Sequence, residues 1–233
     1  MLDVHPPHEA AHTWKDFFLH IATIVVGLLI AIGLEQTVEA IHHHQQRREL
    51  RESLLVDARD AVRDTSDVHA YADSNLQWLS LRIDQVRQAI ATGQPVAPSP
   101  PESGLNFSAP DDPAWKAARS TDLTELLTEE EIKMYNDVDG DVAAAERYHQ
   151  IMNDATAALM QFSFKFTGSG MNTPDFSTAS PQDLKQLLEL LAAAKKSQLT
   201  YAEKCQELHG AEAAILRGEN TLRGVQNAEL NPW

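Results

Sequence analysis

Residues Phe17 to Leu34 read FFLHIATIVVGLLIAIGL, a run without a formal charge and with one strongly polar interruption, His20. At a helical rise of about 1.5 Å per residue the run spans roughly 27 Å, close to the hydrocarbon thickness of a bilayer. A helix packed on the surface of a globular domain shows a recurring polar face, and this run has none. It predicts a single transmembrane helix. Two other readings compete with it. A buried core helix rarely needs so many consecutive apolar residues. A cleaved signal peptide, with Val38-Glu39-Ala40 as a small-residue cleavage site, would have a shorter run and a more basic start than MLDVHPPHEAAHTWKD, where Lys15 is the only Lys or Arg.

Charge narrows what the rest can touch. The chain has 34 Asp and Glu against 19 Lys and Arg, and only Asp3, Glu9, Asp16 and Lys15 precede Glu35. From Glu35 onward, 31 acidic and 18 basic residues leave a net formal charge of −13. Such a field repels phosphate backbones, which argues against nucleic acid as a partner. One cysteine, Cys205, excludes an intramolecular disulfide framework and reads as a small apolar residue on a helix. For orientation, Lys15 and the terminal amine lie on the short side of the run. The long side opens with Glu35 and Glu39 and turns basic only at Arg47, Arg48 and Arg51. Long domains cross membranes largely regardless of charge, so this balance predicts a cytoplasmic tail and an exported domain. In a Gram-negative bacterium that places the chain in the inner membrane with its main domain in the periplasm.

The organisation read from patterning is a tail over 1–16, the apolar span over 17–34 and, over 35–92, one long stalk or bundle helix or two helices. A proline-rich loop over 93–113, a helical remainder over 114–218 and a tail over 219–233 follow. Gln36 to Ala91 holds neither proline nor glycine. Leu50, Leu54, Ala58, Ala61 and Val62 form one stripe, and Leu76, Leu79, Ile83, Val86 and Ile90 another. Between them Thr65 or Ser66 is a candidate cap for a second helix. Gly93, Pro95, Pro98, Pro100, Pro101, Gly104, Pro110 and Pro113 break the pattern. Ser120 and Thr121 are weak caps. Thr128 followed by Glu129, Glu130 and Glu131 is a stronger one, with Glu131 at the capping-box position. That helix is predicted from Glu129 to about Phe166, with Ile132, Tyr135, Val142, Tyr148, Ile151, Met152, Ala155, Leu159 and Phe162 inward. Ser180-Pro181-Gln182-Asp183 opens the last helix, whose stripe runs through Leu184, Leu187, Leu188, Leu191, Ala194, Leu199, Ala202, Leu208 and Ala211. The predicted fold is all-α: one amino-terminal transmembrane helix continuing into an antiparallel bundle of about four helices.

Catalytic and metal signatures are weak. Asp137, Asp139 and Asp141 alternate like the start of a calcium loop, but the sixth and twelfth positions are Val142 and Tyr148, where glycine and a bidentate glutamate belong. His42, His43 and His44 are consecutive on a helix and point about 100° apart, so they cannot converge on one ion within a chain. His5, His8 and His12 have ligand-like spacing among prolines. Gly168-Ser169-Gly170 lacks the nucleophile-elbow spacing. No metal, cofactor or catalytic residue is assigned. The apolar run itself offers a narrow face of small residues, Thr23, Gly27 and Ala31, where another helix can approach closely.

Trp14-Lys15-Asp16-Phe17 with Ile24 to Ala31 and Glu35, and Trp115-Lys116-Ala117-Ala118-Arg119-Ser120 with Leu126, Leu127 and Tyr135, resemble segments of a group of uncharacterised bacterial single-span membrane proteins of unknown function. Together they cover about a third of this chain, which departs from the group by its proline-rich insertion. The resemblance implies an anchored helical architecture and carries over no functional residue. The expected function is therefore a non-enzymatic accessory or scaffold subunit. Its partners are the lipid bilayer and either subunits of a larger membrane complex or copies of itself. The alternative is an exported helical sensory or ligand-binding protein acting through a signalling partner, with Trp78, Trp115 and Tyr148 lining its pocket. An enzyme would require converging buried carboxylates and histidines.

Overall fold

Helix α1 runs unbroken over Trp14–Thr92 in the computed structural model, which describes residues 14–97, 108–167 and 173–232. The chain divides into two units, Met1–Glu49 and Leu50–Trp233, and α1 contributes to both. Four further α-helices follow: α2 (Pro113–Ser120), α3 (Glu129–Ser163), α4 (Pro181–Leu216) and α5 (Leu222–Glu229), with short 3-10 turns at Leu123–Leu126, Phe164–Phe166 and Phe176–Thr178. No strand occurs among the described residues.

In the first unit, α1 is exposed on every side. It is the one described helix long and apolar enough to cross a membrane, and none of its apolar window is buried within the protein. The core-helix reading has no such burial to rest on.

Of the two courses open over 35–92, one long helix or two, the chain takes the first, and the hydroxyls of Thr65 and Ser66 show why no second helix starts there. Thr65 donates to the Ala61 carbonyl at 2.7 Å and Ser66 to the Val62 carbonyl at 2.7 Å, bonds made within the running helix instead of to a new amino terminus. The cap at Thr128 forms as predicted. Its hydroxyl accepts from the Glu131 N–H at 3.3 Å, and the Glu131 carboxylate accepts from the Thr128 N–H at 2.9 Å. Ser180 and Asp183 build the same box around Pro181 at the start of α4.

Three smaller elements differ in detail from the pattern. Pro113 opens α2 instead of closing the loop, since proline at a first helical position gives up no intrahelical bond. Ser120 and Thr121 then close that helix, both hydroxyls donating to the Ala117 carbonyl at 2.8 Å. The segment read as a carboxy-terminal tail contains α5, started by Thr221, whose hydroxyl accepts from the Gly224 N–H at 3.2 Å.

The core of the second unit fixes the direction of its helices. One cluster joins Leu50, Leu54 and Ala58 of α1 to Met134, Val138 and Val142 of α3 and to Leu208, Ala211 and Ile215 of α4. At the other end Leu79, Ile83 and Val86 meet Leu159 and Phe162 of α3 and Leu184, Leu187 and Leu191 of α4. Helices α1 and α3 therefore run the same way and α4 runs against them, so three long helices build the core where about four were expected. Between these ends the packing is smaller and more polar: Val68, Tyr201 and Cys205 are buried there, Asn75 donates to Gln198, and Thr65 meets His209 Nδ1 at 3.1 Å. Ile132 packs against the first cluster as the pattern has it, Met134 and Val138 are buried although the pattern did not place them inward, and Ile151, placed inward, is exposed. Leu199 is likewise exposed, because Ser197, Gln198 and Tyr201 take the inward positions of α4.

Candidate functional site

Two regions carry the residues singled out from sequence. The first is the small-residue face of α1. The Thr23 hydroxyl is folded back onto the Leu19 carbonyl at 2.9 Å, which keeps its polar atom satisfied in an apolar setting. A methyl group added at Gly27 would meet nothing within 4 Å, so the face at Thr23, Gly27 and Ala31 is open in the single chain. Leu34, Val38 and Ile41 continue the same side of the helix at spacings of four and three, and all three are more than 60% exposed. His42, His43 and His44 lie just beyond, all exposed.

The second region is the end of the bundle that holds Leu50. Trp115 of α2 is its anchor: 2% exposed and stacked on Tyr135 with ring centroids 5.3 Å apart. Its indole N–H has no hydrogen-bond partner among the described residues. Carboxylates from four segments gather around this anchor. Asp57 of α1 accepts from the Ala114 N–H at 2.7 Å and so fixes the start of α2. Asp112 is ion-paired with Lys116 at 3.0 Å. Glu212 of α4 is 4% exposed, and burial followed by repulsion from Asp57, Asp112 and Asp141 pushes its carboxyl up to about 8. Burial first, then Asp137 and Glu207, push Asp141 up to about 6. Burial also raises Asp57 and Asp112. Glu131 goes the other way: burial raises it, but the Thr128 cap and Arg51 at 2.8 Å outweigh that and lower it.

The alternating aspartates thus separate. Asp137 accepts from Gln226 of α5 at 3.3 Å, Asp139 pairs with Arg119 of α2 at 3.0 Å, and Asp141 turns inward with one buried oxygen that has no hydrogen-bond partner among the described residues. All three lie inside α3, with Gly140 a helical residue, so no calcium loop forms. Among the described residues no group of three or more His, Cys, Asp and Glu is placed to hold a metal ion. The buried His209 bonds to Thr65, and burial lowers its pKa. His5, His8, His12 and Gly168-Ser169-Gly170 lie outside the described residues.

The three aromatic residues expected to line one pocket fall into three separate clusters. Trp115 belongs to the Leu50 end, Trp78 packs against the Leu79 end, and Tyr148 sits at the polar middle with Arg147 over its ring at 5.1 Å. The structure does not bring them together. The buried Glu212 and Asp141 were missed in the sequence because both sit in helices where charge reads as a solvated face. The one available signal was that Glu212 follows Ala211 and Leu208 on the inward stripe of α4. No family model, no curated protein and no solved structure matches this chain.

Proposed function

We propose that this protein is a non-enzymatic accessory or scaffold subunit, anchored by Phe17–Leu34 in a bacterial inner membrane with its main helical domain on the periplasmic side. The membrane helix docks against helices of a larger membrane complex or of a second copy. One observation carries the reading: the apolar stretch of α1 is covered by none of the described residues, while its small-residue face stands open at Gly27. Val38 and Ile41 extend that face from Leu34 past the span, among Glu35, Glu39 and the three histidines, where lipid tails no longer cover apolar side chains. A partner helix that follows the seam in both environments accounts for this run. The separation of Trp78, Trp115 and Tyr148 gives the sensory alternative no support of comparable weight.

Purification of the full chain in mild detergent, followed by cross-linking and mass spectrometry, tests the proposal. The native chain is expected to run with a partner or as an oligomer, and Gly27→Ile, which fills the open face, to reduce the associated fraction by at least about fivefold. A monomer free of companions, or an association indifferent to Gly27→Ile, contradicts docking through this face.

A further inference from the structure

Helix α5 has eight residues, too few to be stable alone in water, so its helicity depends on its seat. That seat is tight. Val225 is 0% exposed, and α4 passes so close at Gly210 that an added methyl group would fall on the Ala228 carbonyl. The link to α4 turns at Gly218, whose φ of +95° is readily adopted only by glycine. Glu219 beyond it accepts from the N–H groups of Asn220 and Thr221 at 3.0 and 3.1 Å and so starts α5 again. The segment is a short flap on a glycine hinge.

The charge facing this flap is one-sided. Glu229 of α5 meets Asp137 and Asp141 of α3 and Glu207 of α4, and the cation among them, Lys204, is ion-paired to Glu207. Asp141 also acts on the deeply buried Glu212 of α4, which Asp57 and Asp112 repel as well. Glu229 Oε1 and Asp141 Oδ2 are shut away from water, and neither has a hydrogen-bond partner among the described residues. Ionised, both oxygens would be desolvated at one interface with Lys204, already paired to Glu207, as the cation to offset them; protonated, they cost far less to keep there.

We propose that docking of α5 is controlled by protons: the helix is held on α3 and α4 while Glu229 and Asp141 are protonated, and it swings away about Gly218 as they ionise. The direction follows from linkage. Burial, then repulsion by Asp141, Asp137 and Glu207, push docked Glu229 up to about 7, while burial and its acidic neighbours push Asp141 up to about 6. Released, Glu229 returns toward its ordinary 4.5. The docked state binds more protons, so docking is strongest in acid and is lost as pH rises through about 6 to 7. Glu212, held up to about 8, keeps its proton over most of that window. Release uncovers Val225 and the α4 surface at Gly210, an apolar seat masked in acid.

Hydrogen–deuterium exchange of the full chain in detergent micelles reads this out, each rate being divided by the random-coil rate at its own pH. Between about pH 5 and pH 8, protection of the amides of Val225 to Glu229 is expected to fall at least about fivefold more than that of α3 and α4. Glu229→Gln, which mimics the protonated acid, should remove most of that difference, and Asp141→Asn should do the same from the opposite side. Equal protection at both pH values overturns the proposal, and so does a native pH response retained by both variants. If Asp141→Asn fails to fold, Glu229→Gln decides alone.

Discussion

Trp115→Ala is expected to destabilise the helical domain by about 3–5 kcal/mol, the range for removing a large aromatic side chain from a packed core. Trp115 lies against Tyr135 and closes the cluster that joins α1, α2, α3 and α4 around Leu54, Met134 and Leu208. The loss should exceed area alone, because α2 is an eight-residue helix whose start is tied to Asp57 and whose other buried residue is Ala118. Urea unfolding of the chain in detergent, followed by tyrosine and tryptophan signals at the core, measures it. A change below about 1 kcal/mol would mean that α2 is not part of the folding unit.

The second large effect is a dependence of stability on pH. Glu212 has an ordinary value of 4.5 and is pushed up to about 8 in the folded chain by burial and by Asp57, Asp112 and Asp141. A folded pKa above the unfolded one means that folding takes up a proton. The stabilisation is fully present below about pH 4.5 and is lost as pH rises toward 8. One such group gives a slope of up to about 1.4 kcal/mol per pH unit across that window. Glu212→Gln keeps the shape and removes the proton. Its urea midpoint should match the native chain near the acid end and exceed it at the alkaline end, by roughly 4 kcal/mol in free energy. Parallel pH profiles for the two chains would show that Glu212 does not titrate across folding.

Much of this architecture is legible in the residues. Capping at Thr128 and Ser180 is written in local chemistry, hydroxyl followed three residues later by a carboxylate, and both boxes form. The stripes at Leu50, Leu54 and Ala58 and at Leu184, Leu187 and Leu191 mark buried faces because their spacing follows the helical period. What fails is tertiary. Thr65 and Ser66 are as good a cap as any by type, and only the continuing packing of α1 through Val68 and Ala72 turns their hydroxyls back onto their own helix. The burial of Glu212 and Asp141 depends on which helices meet, and the parallel course of α1 and α3 is set by a connection whose proline content predicts a loop but not where it leads. For the same reason Trp78, Trp115 and Tyr148, alike as exposable aromatics, end in three different clusters.

Flotation of membranes from cells producing the full chain, followed by alkaline carbonate extraction, tests the central reading most directly. A protein held by Phe17–Leu34 should rise with the bilayer, resist carbonate and come away at full length only in detergent. Recovery from the aqueous fraction without detergent, as a fragment lacking that apolar run, would contradict it.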